Sequence, residues 1–169
     1  GICFIGERNF SRFIGQYIQK SVGPMVDIDT GKIMAQHEGL FHYTIGQRKG
    51  IGIGGTGSGE PWFVAKKDLK TNTLWICQGH DHPWLLSHEL ICVRPSWISG
   101  HAPEPNTPVT VRTRYRQPDE PTRLAAVGAQ AFTLDCTDSP QWAATPGQSA
   151  VLYQGDVCLG GGFIDVVER

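Results

Sequence analysis

The chain has 169 residues, enough for one large domain or two small ones with a real core. Its 40% hydrophobic and 18% charged content fits an ordinary soluble globular protein, and a formal net charge of −1 does not announce a nucleic-acid binder. No run of about 18 apolar residues is present, which excludes a transmembrane helix.

The chain begins Gly1-Ile2-Cys3, without a methionine, a basic region or a signal-peptide core, and so reads as a piece of a longer protein. From Asn9, the apolar residues Phe10, Phe13, Ile14, Tyr17 and Ile18 recur at three- and four-residue spacing and predict one amphipathic helix. Asn9 caps its start, and Gly23-Pro24 forbids its continuation. Short strand-like runs follow at Met25–Ile28, Lys32–Gln36 and Phe41–Ile45, with Asp29-Thr30-Gly31 as the first turn. Residues 46–61 form a glycine-rich loop, after which strands resume at Trp62–Lys66 and Thr73–Gln78. The stretch Gly79–Ser87 reads as a connection with one short helical turn, and a boundary near residue 89 divides the chain into segments 1–88 and 89–169. Beyond it six strands are expected, at Glu89–Ile98, Pro108–Tyr115, Thr122–Val127, Ala131–Thr137, Ser149–Tyr153 and Val157–Val167. Short strands at that spacing suggest a small closed barrel.

Five cysteines, Cys3, Cys77, Cys92, Cys136 and Cys158, form an odd and scattered set without a Cys-x-x-Cys pair. That pattern argues against a zinc knuckle and a disulfide framework, and a reducing cytoplasm is its natural setting. Cys3 lies close in sequence to Arg8 and to the helix start after Asn9, and either would favour a thiolate. The alternative is an inert core cysteine. The loop's Gly52-x-Gly54-x-x-Gly57 matches a dinucleotide fingerprint in form only, because a strand rather than a helix N-terminus is expected after it. It reads instead as a surface loop that orders against an anionic partner near Arg48 and Lys49. Cys77, His80 and His82 fit no common zinc spacing, so no metal site is expected.

Arg112, Arg114 and Arg116 alternate with Val111, Thr113 and Tyr115, which in a strand places three guanidinium groups on one face. Such a face suits a polyanion; a solvated face with Asp119 and Glu120 as partners is the competing reading. Thr145-Pro146-Gly147-Gln148 has the residues of a type II turn and displays Gln148 at the head of a strand. Gly160-Gly161-Gly162 signals a bulge or a close backbone approach.

Taken in order, seven blocks carry a resemblance: Gly1–Phe10, Tyr43–Gly55, Glu60–Trp62, Gly79–Pro83, Arg112–Gln117, Thr145–Ala150 and Gly155–Gly162. Together they resemble the bacterial tRNA-specific 2-thiouridylases (the MnmA family), which have a mitochondrial counterpart. The resemblance implies a mixed α+β, mainly β chain: a small central domain with one helix (1–88), then a six-stranded antiparallel β-barrel (89–169). It implies that C2 of the wobble uridine is adenylated with ATP and Mg2+ and its oxygen then replaced by sulfur. Cys3 corresponds to the residue that receives sulfur as a persulfide from a donor protein. A second cysteine and the ATP site belong to an upstream domain absent from this chain, which alone would be inactive, monomeric and free of bound cofactor. The family's tRNA contacts fall on Arg114, Tyr115, Arg116 and Gln148, which favours the polyanion reading of the arginine stretch. The competing hypothesis is a non-catalytic RNA-binding barrel with Cys3 merely buried; a structural adaptor domain would bind no RNA.

Overall fold

The structure, a computed structural model, describes residues 21–54, 58–114 and 117–169. The helix expected after Asn9 lies outside the described residues. The chain divides into two compact units between Gly79 and His80.

The first unit is a four-stranded sheet. Strands β1 (Gly23–Asp27), β2 (Ile33–His37), β3 (Trp62–Asp68) and β4 (Thr73–Gln78) lie in the order β2-β1-β4-β3. Only β1 and β4 run parallel; the other neighbours are antiparallel. The β1–β2 hairpin closes where expected. The Asp27 carboxylate accepts from the Asp29 amide (3.1 Å) and the Thr30 hydroxyl (2.5 Å), and Gly31 supplies the positive φ of 69°. Met25, Trp62, Val64, Leu74 and Ile76 form the core with Leu40, Tyr43 and Ile51.

The strand expected at Phe41–Ile45 is not formed. Leu40–His42 is a turn of 3-10 helix, entered through Gly39 at φ 145°. Leu40, which begins the turn, and Tyr43, the extended residue that closes it, are both buried. The apolar run thus fits this turn better than a two-residue alternation. The glycine-rich loop is tied down where it meets the sheet: the Gly46 amide donates to Val64 O (2.7 Å) and the Val64 amide to Gln47 O (3.0 Å). The chain leaves the loop as strand β3.

The second unit is a closed barrel of β6 (Glu89–Trp97), β7 (Thr107–Arg112), β8 (Glu120–Val127), β9 (Ala131–Asp135), β11 (Ser149–Gln154) and β12 (Val157–Glu168). The remaining pair, β5 (Leu86–Ser87) and β10 (Gln141–Trp142), forms a two-residue ribbon. Every barrel pairing is antiparallel, in the order β11-β12-β6-β9-β8-β7 and back to β11. The fold is mainly β with a six-stranded antiparallel barrel, as the sequence implied. Inward residues alternate along the strands: Leu90 and Cys92, Val109 and Val111, Phe132 and Leu134, Ala150 and Leu152 are all buried.

The glycine triplet is what lets so small a barrel close. A Cβ on Gly161 would sit 2.0 Å from Ala150 O, and one on Gly160 would sit 2.1 Å from Ser96 O. Strand β12 is therefore pressed against backbone on both flanks, with a register shift between Gly161 and Phe163.

Strand β7 ends at Arg112 rather than at Tyr115. Its ladder with β8 stops at Val111–Glu120 and its ladder with β11 at Val151–Arg112, so Thr113 and Arg114 belong to no strand. On either side of the two residues outside the description, the Gln117 amide donates to Arg114 O (3.2 Å) and the Thr113 hydroxyl to Gln117 Oε1 (2.9 Å). Among the described residues no helix is long and apolar enough to cross a membrane.

Candidate functional site

Cys3, Tyr115 and Arg116 lie outside the described residues. The arginines that are described do not form a bare cationic face. Arg112 directs both Nε and Nη2 to Asp119 Oδ1 at 2.7 Å, and its guanidinium lies 5.1 Å from the Tyr153 ring. Arg114, past the end of β7, turns to donate from Nη2 to the Ala143 carbonyl (2.7 Å), 5.7 Å from the ring of Trp142. Burial lowers the Arg114 pKa from its usual value; a guanidinium nevertheless stays charged in a protein. The expected single face of Arg112 and Arg114 is thus replaced by two separately partnered groups.

The residue that Arg114 grips is itself constrained. Ala143 sits at φ 51°, a left-handed conformation that a residue with a Cβ adopts at a cost of about 1–2 kcal/mol. Three hydrogen bonds hold it there. Its amide donates to Leu85 O (2.6 Å), and its carbonyl accepts from Arg114 and from the Thr145 hydroxyl (3.0 Å). Two residues on, Thr145-Pro146-Gly147-Gln148 forms the expected turn, with Gly147 at φ 87° and the Gln148 amide donating to Thr145 O (3.2 Å). The Ile164 amide then donates to Gln148 O (2.8 Å) and fixes the entry into β11. Antiparallel pairing puts the end of β7 beside the start of β11, so Arg112, Arg114 and Gln148 gather at one end of the barrel. Gln148 Oε1 is buried there and has no hydrogen-bond partner among the described residues.

Sequence reasoning missed a second feature at this end. The His80 ring stacks on the Trp142 indole at 4.7 Å with an interplanar angle of 7°, and Trp142 Nε1 donates to the His80 carbonyl (2.8 Å). His82 accepts from the Trp84 amide (3.2 Å) and starts the 3-10 turn Pro83–Leu85. Arg169 donates to Trp84 O (2.9 Å) and lies 5.0 Å from its ring. The Gly79–Pro83 block was a signal, but the tryptophan that completes the stack is 62 residues further on.

Among the described residues no three His, Cys, Asp or Glu side chains gather as a metal site. Among the described residues, Cys77, Cys92, Cys136 and Cys158 form no disulfide. Burial, with Cys136 nearby as a lesser cause, pushes Cys92 up to about 12, and burial also raises Cys136. Both therefore stay protonated at neutral pH and cannot act as thiolate nucleophiles.

Comparison with known proteins follows this division of the chain. Residues 11–78 match the family model described as tRNA methyl transferase PRC-barrel domain, and residues 87–164 match the Aminomethyltransferase beta-barrel domain. The chain is 56% identical over 98% of its length to the tRNA-specific 2-thiouridylase MnmA of Paraburkholderia phymatum and covers 44% of that protein. It is 56% identical to the protein of that name from Burkholderia pseudomallei and 54% identical to the one from Burkholderia multivorans, again over 98% of the chain, covering 44% and 43% of them. The chain thus spans under half the length of these relatives.

Proposed function

The chain belongs to the family of the tRNA-specific 2-thiouridylases, and we propose that it carries the sulfur-bearing and tRNA-holding part of such an enzyme. More than half of its residues are identical, across 98% of the chain, to proteins named for that reaction; this observation carries the reading. In it, Cys3 receives sulfur as a persulfide from a donor protein. The terminal sulfur of a persulfide ionises more readily than a thiol and is the better nucleophile at neutral pH, so it suits attack at C2 of uridine. ATP and Mg2+ supply the adenylation that makes the C2 oxygen a good leaving group. The residues that would hold them are assigned to the length of the relatives that this chain does not span. The reaction is placed in the cytoplasm.

The barrel would hold the tRNA through Arg114, Tyr115, Arg116 and Gln148. The geometry around Ala143 supports this use, since it fixes the Gln148 turn rigidly beside Arg114. Ordered donors and cations at one end of a barrel can meet phosphates without a further loss of chain entropy. The target base must leave its stack to be reached, which needs firm anchoring of the strand around it.

The test is Cys3→Ser in the complete gene product. The expected outcome is loss of 2-thiouridine from tRNA, measured by nucleoside mass spectrometry, with tRNA affinity retained. Undiminished thiolation would remove Cys3 from the reaction and leave the barrel as a non-catalytic RNA-binding module.

A further inference from the structure

We propose that Arg94, held over the ring of Phe163, is a further contact for a backbone phosphate of the bound tRNA. This role rests on the tRNA reading above and adds to it a cation from another strand.

Arg94 is turned outward by a β-bulge. Leu90 and Cys92 face the barrel interior, and strict alternation along β6 would send Arg94 the same way. The ladder with β12 prevents this. Val93 pairs with Phe163 and Ser96 with Gly161, so Arg94 and Pro95 together stand opposite the single residue Gly162. Trp97, an odd step beyond Cys92, packs against the core again. Gly162 is required for this fit, since a Cβ there would meet Val93 O at 2.7 Å. At the bulge Arg94 takes φ 51°, in the left-handed region, and its amide donates to Gln130 O (3.0 Å). That conformation costs an arginine what it would not cost a glycine. Bulges and strained residues of this kind gather at binding sites, where they re-aim a side chain.

Here the bulge aims the guanidinium over the Phe163 ring, 5.1 Å from its centre. Both side chains are exposed, Phe163 at 42%. A guanidinium held over a ring spends none of its N–H donors on that contact. Among the described residues nothing accepts from them: the Arg94 side chain has no hydrogen bond and no ion pair, not even with the exposed Asp165 two residues beyond Phe163. The pair also lies beside the Gln148 turn. Phe163 pairs with Ser149 at the start of β11, and the Ile164 amide donates to Gln148 O (2.8 Å). In the barrel order β7-β11-β12-β6, the arginines of β7 and β6 thus flank that turn. A cation already ordered on a ring loses little entropy when it grips a phosphate, and arginine grips one through two parallel bonds.

The experiment uses the complete gene product and an unmodified tRNA transcript, with affinity measured across a series of salt concentrations. Arg94→Ala should weaken binding roughly 10-fold and flatten the slope of log affinity against log salt by about 0.7–0.9. Arg94→Lys should keep the slope, because the charge remains. Phe163→Ala should also keep it while weakening binding, because the guanidinium is no longer held. Arg94→Gly should bind as weakly as Arg94→Ala yet melt at a higher temperature, since glycine accepts the left-handed backbone, which separates the contact from the fold. Unchanged affinity and slope in Arg94→Ala and Arg94→Gly would overturn the proposal. So would weaker binding at an unchanged slope in those two variants, which is not the loss of a phosphate contact. A lowered melting temperature of both with tRNA binding intact would overturn it too, making the pair a contact within the complete protein. Failure of the wild type to bind tRNA at all would overturn the tRNA reading itself, and so is distinguishable from these results.

Discussion

Arg114 is placed to do two things, and replacing it separates them. Arg114→Ala removes a charged donor from the Ala143 carbonyl at 2.7 Å and a guanidinium from the Trp142 ring. A hydrogen bond from a charged group contributes about 1.5–3 kcal/mol net, and a half-exposed cation–π contact about 0.5–1 kcal/mol. The barrel should therefore lose about 2–4 kcal/mol, which for a unit of this size is a fall in melting temperature of roughly 8–30 °C. Arg114→Lys should recover part of that loss, since an ammonium can still donate but cannot lie flat on an indole. Arg112→Ala is the contrast. Its pair with Asp119 is half-exposed, at 40% and 31%, and its guanidinium lies 5.1 Å from the Tyr153 ring, so about 0.5–2 kcal/mol is expected, less than for Arg114. The second role is read from tRNA affinity as a function of salt, below the lowered melting temperature. If Arg114 also neutralises one phosphate, the slope should flatten by about 0.7–0.9 in the alanine variant and stay unchanged in the lysine variant. A melting temperature within about 2 °C of wild type would refute the anchoring argument. Unchanged affinity and slope would refute the phosphate contact and leave Arg114 wholly a fold residue.

Gly161→Ala should be among the most damaging single-methyl changes in the barrel, because the new Cβ meets the Ala150 backbone at 2.0 Å and backbone in a closed ladder has nowhere to go. A loss of about 3 kcal/mol or more in urea unfolding is expected; Gly128→Ala, whose nearest contact is 3.4 Å, should cost far less, and equal losses would refute the close-approach reading. Alkaline stability should report the buried thiols. Cys92 is pushed up to about 12 in the fold, from an ordinary value of 9.0. Its contribution is thus fully present below pH 9 and is lost as pH rises through that window, by about 1.4 kcal/mol per pH unit. Cys92→Ala should flatten this alkaline decline in the unfolding free energy measured between pH 8 and pH 10.5 (roughly the accessible range), and an unchanged decline would place its cause elsewhere.

What the sequence made legible was what neighbouring residues decide among themselves. The six barrel strands were legible as short runs separated by Gly, Pro, Asn and Asp, and alternation within them, of Leu90 with Cys92 or of Phe132 with Leu134, is what turns one face inward. Pro146-Gly147 specified its turn, and the glycine triplet specified a close approach, because each reflects a backbone constraint carried by the residue itself. Phe41–Ile45 misled because a short apolar run does not distinguish a strand from a 3-10 turn until burial of Leu40 and Tyr43 picks one. The arginine stretch misled for a non-local reason: the end of β7 is set by where β8 and β11 stop, and neither limit is written near Arg114.

The same non-local joins give the candidate site its shape. Segment 141–148 carries a left-handed alanine and a type II turn, neither of which would hold one conformation in isolation. It is pinned to Leu85, to Arg114 and to Ile164, three places far apart in sequence. A residue kept in a costly conformation by so many bonds moves little, and whatever it supports is equally fixed. Gln148 follows Ala143 by five residues and Trp142 precedes it by one, so one strained residue orients both the turn and the aromatic stack. Relaxing that residue, by removing the guanidinium that grips it, should therefore disturb the Gln148 turn and the His80 stack together. The two features form one mechanical unit, so the salt slope rather than affinity by itself is the reading that isolates any phosphate contact at Arg114 from a loosened turn.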